Sequence, residues 1–224
     1  MDPTSLALGF GKSFLFVLAT ILPILNPAAT APIFLGLTEG ASAGTRASLA
    51  RRIARNMFFL VLGAMLIGSF VLDLFGISLP IVRVGGGMIV ASTAWRLLNA
   101  DQSTSDRRAA LAEAFTPEQA RRQAFYPLTF PISCGPGSIA AAITVGASLH
   151  EERLALSLAR FGGGVLALAL IATLLFLAFR YAQRLLQPLG ETGTIVFLRL
   201  MAFILLCLGV QIVWDGVSEL LRSL

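Results

Sequence analysis

The chain has 224 residues, of which 56% are hydrophobic and 13% charged, and its mean hydropathy is +0.82. No soluble domain of this size needs so much apolar surface, so the composition excludes one and points to an all-α, polytopic membrane protein. A net charge of +5 and a pI near 10.2 would suit nucleic acid, but the basic residues lie in short segments between apolar runs, so topology explains them and no nucleic-acid partner is expected.

Six spans follow in chain order, at about 12–38, 57–75, 77–98, 124–149, 156–179 and 194–218, by the rule that roughly 20 apolar residues cross the hydrocarbon. The first apolar run has no small-residue cleavage pattern and is expected to be retained rather than removed as a signal peptide. The first and fourth spans are long, and each carries the same interruption. Residues 22–32 read Leu-Pro-Ile-Leu-Asn-Pro-Ala-Ala-Thr-Ala-Pro; residues 130–139 read Phe-Pro-Ile-Ser-Cys-Gly-Pro-Gly-Ser-Ile. Proline lacks an amide hydrogen and clashes with the preceding turn, so both segments are expected to be broken helices. In a bilayer, open backbone is tolerated only where protein or a cavity surrounds it.

The segments 39–56, 99–123 and 180–193 are read as loops on one side, with residue 76, residues 150–155 and both termini on the other. The first side carries eleven basic residues: Arg46, Arg51, Arg52, Arg55, Arg96, Arg107, Arg108, Arg121, Arg122, Arg180 and Arg184. The second carries four: Lys12, Arg153, Arg160 and Arg222. Positive-inside then places both termini outside the cytoplasm of a cell inner (plasma) membrane. Residues 1–100 and 123–224 form two three-helix repeats, joined by a polar cytoplasmic linker at 101–122 with a short helical candidate ending near Arg122. Three spans are an odd number, so the second repeat enters the bilayer inverted, the architecture of many secondary transporters.

Asn26 before Pro27 is a good N-cap before a good first helical residue, and Gly135 before Pro136 offers a similar start. A half-helix beginning at each break presents unpaired amides and a positive dipole end, which suit a carboxylate. The half-helices before them, expected to end near Pro23 and Pro131, present carbonyls that suit a cation. A small zwitterion satisfies both, and that is the physical case for an amino acid. Asn26, Pro27, Thr30, Pro131, Ser133, Gly135, Pro136, Gly137 and Ser138 make up the expected substrate-binding set. The same small residues would also serve close helix packing. Arg83 and Arg199, the deepest charges, are candidates for substrate contact or gating, with snorkelling as the alternative, and Gln211 is a candidate cavity residue.

His150 is the sole histidine, and Cys134 and Cys207 form no metal-ligand spacing, so no catalytic residue, metal or cofactor is expected and the chain is read as a non-enzyme. No carboxylate lies at a break, which argues against a proton relay, whereas sodium on freed carbonyls needs none; the coupling ion, Na+ or H+, is left open. A homo-oligomer is also left open.

The motif Asn26-Pro27-Ala28-Ala29-Thr30-Ala31-Pro32-Ile33-Phe34, the run Pro127-Leu128-Thr129-Phe130-Pro131 leading to Gly135-Pro136-Gly137, the segment Phe75–Pro80 with Arg83 and Gly85-Gly86-Gly87, and Arg199 with Val210-Gln211 resemble the MarC family of membrane proteins over nearly the whole chain. Ser133-Cys134 departs from the more usual apolar residues of that family. The resemblance implies a relationship to transporters of small neutral amino acids. The expected function is therefore a secondary transporter of such solutes by alternating access. Export of another small metabolite or drug, and a non-transporting membrane scaffold, are the alternatives.

Overall fold

The computed structural model describes residues 3–38, 41–99, 124–151 and 153–222. The expected linker at 101–122, with its helical candidate, lies outside the described residues. Every regular element among the described residues is helical: α1 (Pro3–Leu25), α2 (Pro27–Leu37), α3 (Ala43–Leu74), α4 (Leu79–Leu98), a wide-turn π segment (Ala124–Ser133), α5 (Pro136–Ser148), α6 (Leu154–Arg180), the short α7 (Ala182–Leu186), a 3-10 turn (Gln187–Leu189) and α8 (Gly190–Arg222). Five runs are long and apolar enough to cross a bilayer. The π segment and α5, bent by 71°, supply a sixth if taken as one span.

The second span begins much earlier than its hydropathy suggests. Residues 39–56 were expected to form a loop, yet α3 starts at Ala43, where the Ser42 hydroxyl caps the Thr45 amide at 3.1 Å. Arginine is a good helix former, so a cap is enough to carry the helix through Arg46, Arg51, Arg52 and Arg55. At about 1.5 Å per residue, a helix of this length outreaches the hydrocarbon core. The α3–α4 turn is tight because Gly76 sits at φ +65 and lets the Ile77 amide reach back to the Leu72 carbonyl at 2.9 Å.

Most helices are apolar all round, so burial is decided by stripes at helical spacing. Val17 and Ile21 of α1, Met57 and Val61 of α3, and Leu168 and Ile171 of α6 are completely buried. Phe59, Ile67, Phe70 and Leu158 on the opposite faces are exposed, as lipid-facing positions are. Phe34 of α2 stacks on Phe179 of α6, with ring centroids 4.5 Å apart and planes 6° apart, which anchors the first half-helix.

The helices pair in a definite pattern. α4 packs antiparallel along α8: a Cβ on Gly87 would stand 2.8 Å from the Gly209 carbonyl oxygen, and one on Gly216 2.8 Å from that of Pro80. Arg83 pairs with Glu219 across the same seam. α1 runs with α6, α3 packs on α5 and the π segment, and α3 also packs on α6. A side chain at Gly146 would collide with the Met65 carbonyl of α3, so glycine is what lets these two helices touch.

Candidate functional site

Both expected interruptions are present. In the first, Asn26 alone leaves the helix, in the left-handed conformation (φ 43, ψ 65). Its side-chain oxygen accepts from the Ala29 amide at 3.1 Å, and Pro27 follows as the first residue of α2. The expectation that the preceding half-helix ends near Pro23 needs correction. α1 continues two residues past Pro23 to Leu25, and the chain leaves the helix only at Asn26. The Pro23 carbonyl is still deprived, since the residue four places on is Pro27, which has no N–H to give.

The second interruption is longer. Tyr126 and Phe130 are extended and Phe130-Pro131 is cis, so the helical backbone is interrupted beside Pro131, where the break was expected. Hydrogen bonds reach five residues: the Cys134 amide to the Thr129 carbonyl at 2.8 Å, and the Thr129 and Ser133 hydroxyls to the Ala124 and Leu128 carbonyls at 2.6 and 2.7 Å. Gly135 is extended (φ −85, ψ 176) and α5 starts at Pro136. With no side chain, Gly135 cannot cap, and the Gly137 amide has no backbone partner among the described residues.

The two interruptions line one cavity of about 440 Å³. Asn26 and Thr30 face it from the first, and Pro131, Ser133, Gly135, Pro136, Gly137 and Ser138 from the second. Pro27 of the expected set is buried and does not line it. α4 closes the cavity with Thr93 and Arg96, and α8 adds Leu205. Sequence reasoning passed over both α4 residues. Arg96 was counted among loop charges, although it occupies the last turn of α4, where it is exposed on one side and meets the cavity on the other. Its spacing from Ile89 and Thr93, which puts all three on one helical face, was the available signal.

The donors and acceptors are sorted. The Thr30 hydroxyl proton goes to the Asn26 or Pro27 carbonyl (3.1 and 3.3 Å), that of Thr93 to Ile89 (2.8 Å), and that of Ser133 to Leu128. Those three oxygens therefore offer lone pairs and no proton to a solute. Donors come from the Asn26 side-chain NH2, the Gly137 amide and the Arg96 guanidinium, the last of which makes no hydrogen bond or ion pair with a described residue. Among the described residues, no Asp or Glu lines the cavity. The remaining wall is apolar, from Ile24, Ile33, Val90 and their neighbours.

A second cavity of about 350 Å³ lies towards the opposite membrane face, between Phe16 and Thr20 of α1, Arg83 of α4 and Asp215 of α8. Ile24 and Gly137 line both cavities. Gly137 is buried there against Val90 and the Gly86 carbonyl, so a side chain in its place would strike α4. Arg83 thus belongs to the second cavity. Gln211 is exposed and donates to Asp215 at 2.8 Å, and Arg199 is exposed on α8; neither lines either cavity.

The chain is 31% identical over 208 residues to an inner membrane protein MarC of Escherichia coli, a match covering 92% of this chain and 94% of the relative. It is 30% identical, over the same shares, to the inner membrane protein MarC of Shigella flexneri. No solved structure matches it. The relatives' inner-membrane location and the apolar helices together make this a multi-pass inner-membrane protein. The sequence model of MarC family integral membrane proteins matches residues 11–221, and the chain belongs to that family.

Proposed function

We propose that this protein is a secondary transporter of small neutral amino acids that works by alternating access. The observation that carries the proposal is the meeting of two helix interruptions, about a hundred residues apart in the chain, in the wall of one cavity. A solute carboxylate would take the Gly137 amide, the positive ends of α2 and α5, and Arg96. The ammonium would take the lone pairs of Thr30, Thr93 and Ser133 and the carbonyls before each break. A wall that offers both donors and acceptors suits a zwitterion better than an ion of single sign.

Helix pairing supports the inverted repeat on which alternating access would rest. Exchange of the first three spans for the last three turns the α1–α6 pair into the pair formed by the fourth span and α3. The α4–α8 and α3–α6 pairs map onto themselves. The two cavities, one towards each face and separated by Ile24 and Gly137, supply a way in and a way out. In this reading Arg83, paired with Glu219, guards the outer cavity.

The apolar wall favours a second reading, export of a small metabolite or drug with an apolar body. One experiment addresses both. Purified protein in proteoliposomes is offered labelled glycine, alanine, serine, leucine and a hydrophobic cation, with and without a sodium or proton gradient. Saturable flux of an amino acid supports the first reading. Flux of the hydrophobic cation alone supports the second, and no saturable flux of any solute defeats both.

A further inference from the structure

At the arginine-rich end of the molecule a groove of about 510 Å³ opens between α3 and α6. Its mouth is formed by Arg51, Arg55 and Arg180. Arg51 and Arg55 are one turn apart and so lie on one face of α3, and Arg180 ends α6 beside them. None of the three has an ion-pair partner among the described residues, and no described carboxylate lines the groove. The Arg180 guanidinium lies over the rings of Phe176 and Tyr181, 5.7 and 5.4 Å from their centroids, which holds it at the mouth. Three like charges so placed repel one another and call for an anion.

Below the arginines the groove becomes apolar. Phe58, Phe59 and Phe176 form its sides, and Ala54, Ala169 and Ala172 leave its floor hollow. Thr173 turns its hydroxyl proton to the Ala169 carbonyl at 2.8 Å, so the floor offers no donor. A free inorganic anion has no use for this lower half, and a neutral lipid has no use for the mouth. We propose that the groove is a binding site for an anionic phospholipid, with the phosphate among Arg51, Arg55 and Arg180 and an acyl chain along the three phenylalanines. Positive-inside puts this site in the cytoplasmic leaflet, where anionic headgroups meet basic pockets between helices. The proposal is independent of any transport role.

The test is native mass spectrometry of the full-length protein released from mild detergent after incubation with phosphatidylglycerol, phosphatidylcholine or inorganic phosphate. The wild type is expected to retain one phosphatidylglycerol at roughly tenfold lower lipid concentration than phosphatidylcholine. The triple variant Arg51→Gln/Arg55→Gln/Arg180→Gln should lose that preference, and Arg153→Gln/Arg222→Gln, at the other end, should keep it. Ala172→Phe fills the groove without touching its charge and should also lose the lipid, which keeps the test decisive if the triple variant is poorly folded. Equal retention of the two lipids by the wild type would overturn the proposal. So would unchanged retention of phosphatidylglycerol by Ala172→Phe, which would mark a site for the anion alone. A dimer whose formation ignores phosphatidylglycerol would assign the groove to a second copy of the chain and overturn it too.

Discussion

The two interruptions do one job by different local means. The first is a single residue wide. Asn26 flips into the left-handed region, its side chain caps the next helix, and Thr4–Leu37 still reads as one apolar run of 34 residues. The second takes extended backbone at Tyr126, Phe130 and Gly135, bonds of wider span, and a 71° bend. The difference follows from what each sequence offers. Asparagine tolerates positive φ and brings its own acceptor, so one residue suffices. The second segment has three prolines, Pro127, Pro131 and Pro136, and a glycine at the cap. Amides are missing at several levels there, and no side chain repairs the end of α5. The first break therefore carries its own side-chain cap, whereas the second has none and leaves the Gly137 amide without a backbone partner among the described residues.

That contrast can be broken experimentally. The largest effect is expected at Gly137, which forms part of the wall between the cavities and touches α4. Gly137→Leu should abolish uptake in proteoliposomes while the protein still appears in the membrane fraction, and unchanged uptake would remove Gly137 from the site. Arg96→Gln comes next. Loss of a charge-assisted contact, about 1.5–3 kcal/mol, should weaken solute affinity roughly 10- to 100-fold, with Arg96→Lys in between. Equal affinities for wild type and Arg96→Gln in an equilibrium binding assay would assign the carboxylate elsewhere.

The first break should show itself in stability more than in affinity. Asn26→Ala removes the cap and places alanine at positive φ, with an expected loss of about 1–2 kcal/mol. Asn26→Gly keeps the conformation and gives up the cap, so its thermal midpoint should fall between the other two. An alanine variant as stable as the glycine one would show that the left-handed turn is not what Asn26 supplies. The smallest effect is expected at Arg199, exposed on α8 and outside both cavities. Arg199→Gln should shift affinity by no more than roughly twofold, and a tenfold loss would place that side chain in the solute's path.

The helical class, the spans and the breaks were legible because their causes are local. Apolar length, a missing proline amide and an Asn-Pro cap act within a few residues. The start of α3 was misread because hydropathy marks where the hydrocarbon begins, whereas a serine cap and good helix formers mark where the helix begins. Pro27 was included in the site because it lies at the break, but the left-handed turn at Asn26 sends it into the protein and sends Thr30 to the cavity. Arg96 was missed for the converse reason: nothing next to it in the chain signals a site.

By itself, then, the amino-acid sequence determined that this chain crosses a membrane several times and where its helices must yield, since both depend on side-chain polarity and backbone donors read in order. Only the packing of α1 on α6, α3 on α5 and α4 on α8 decided that the two yielding points share a cavity, and that an arginine from α4 faces them. Contacts between residues a hundred positions apart depend on how whole helix surfaces fit, and no local pattern encodes that fit.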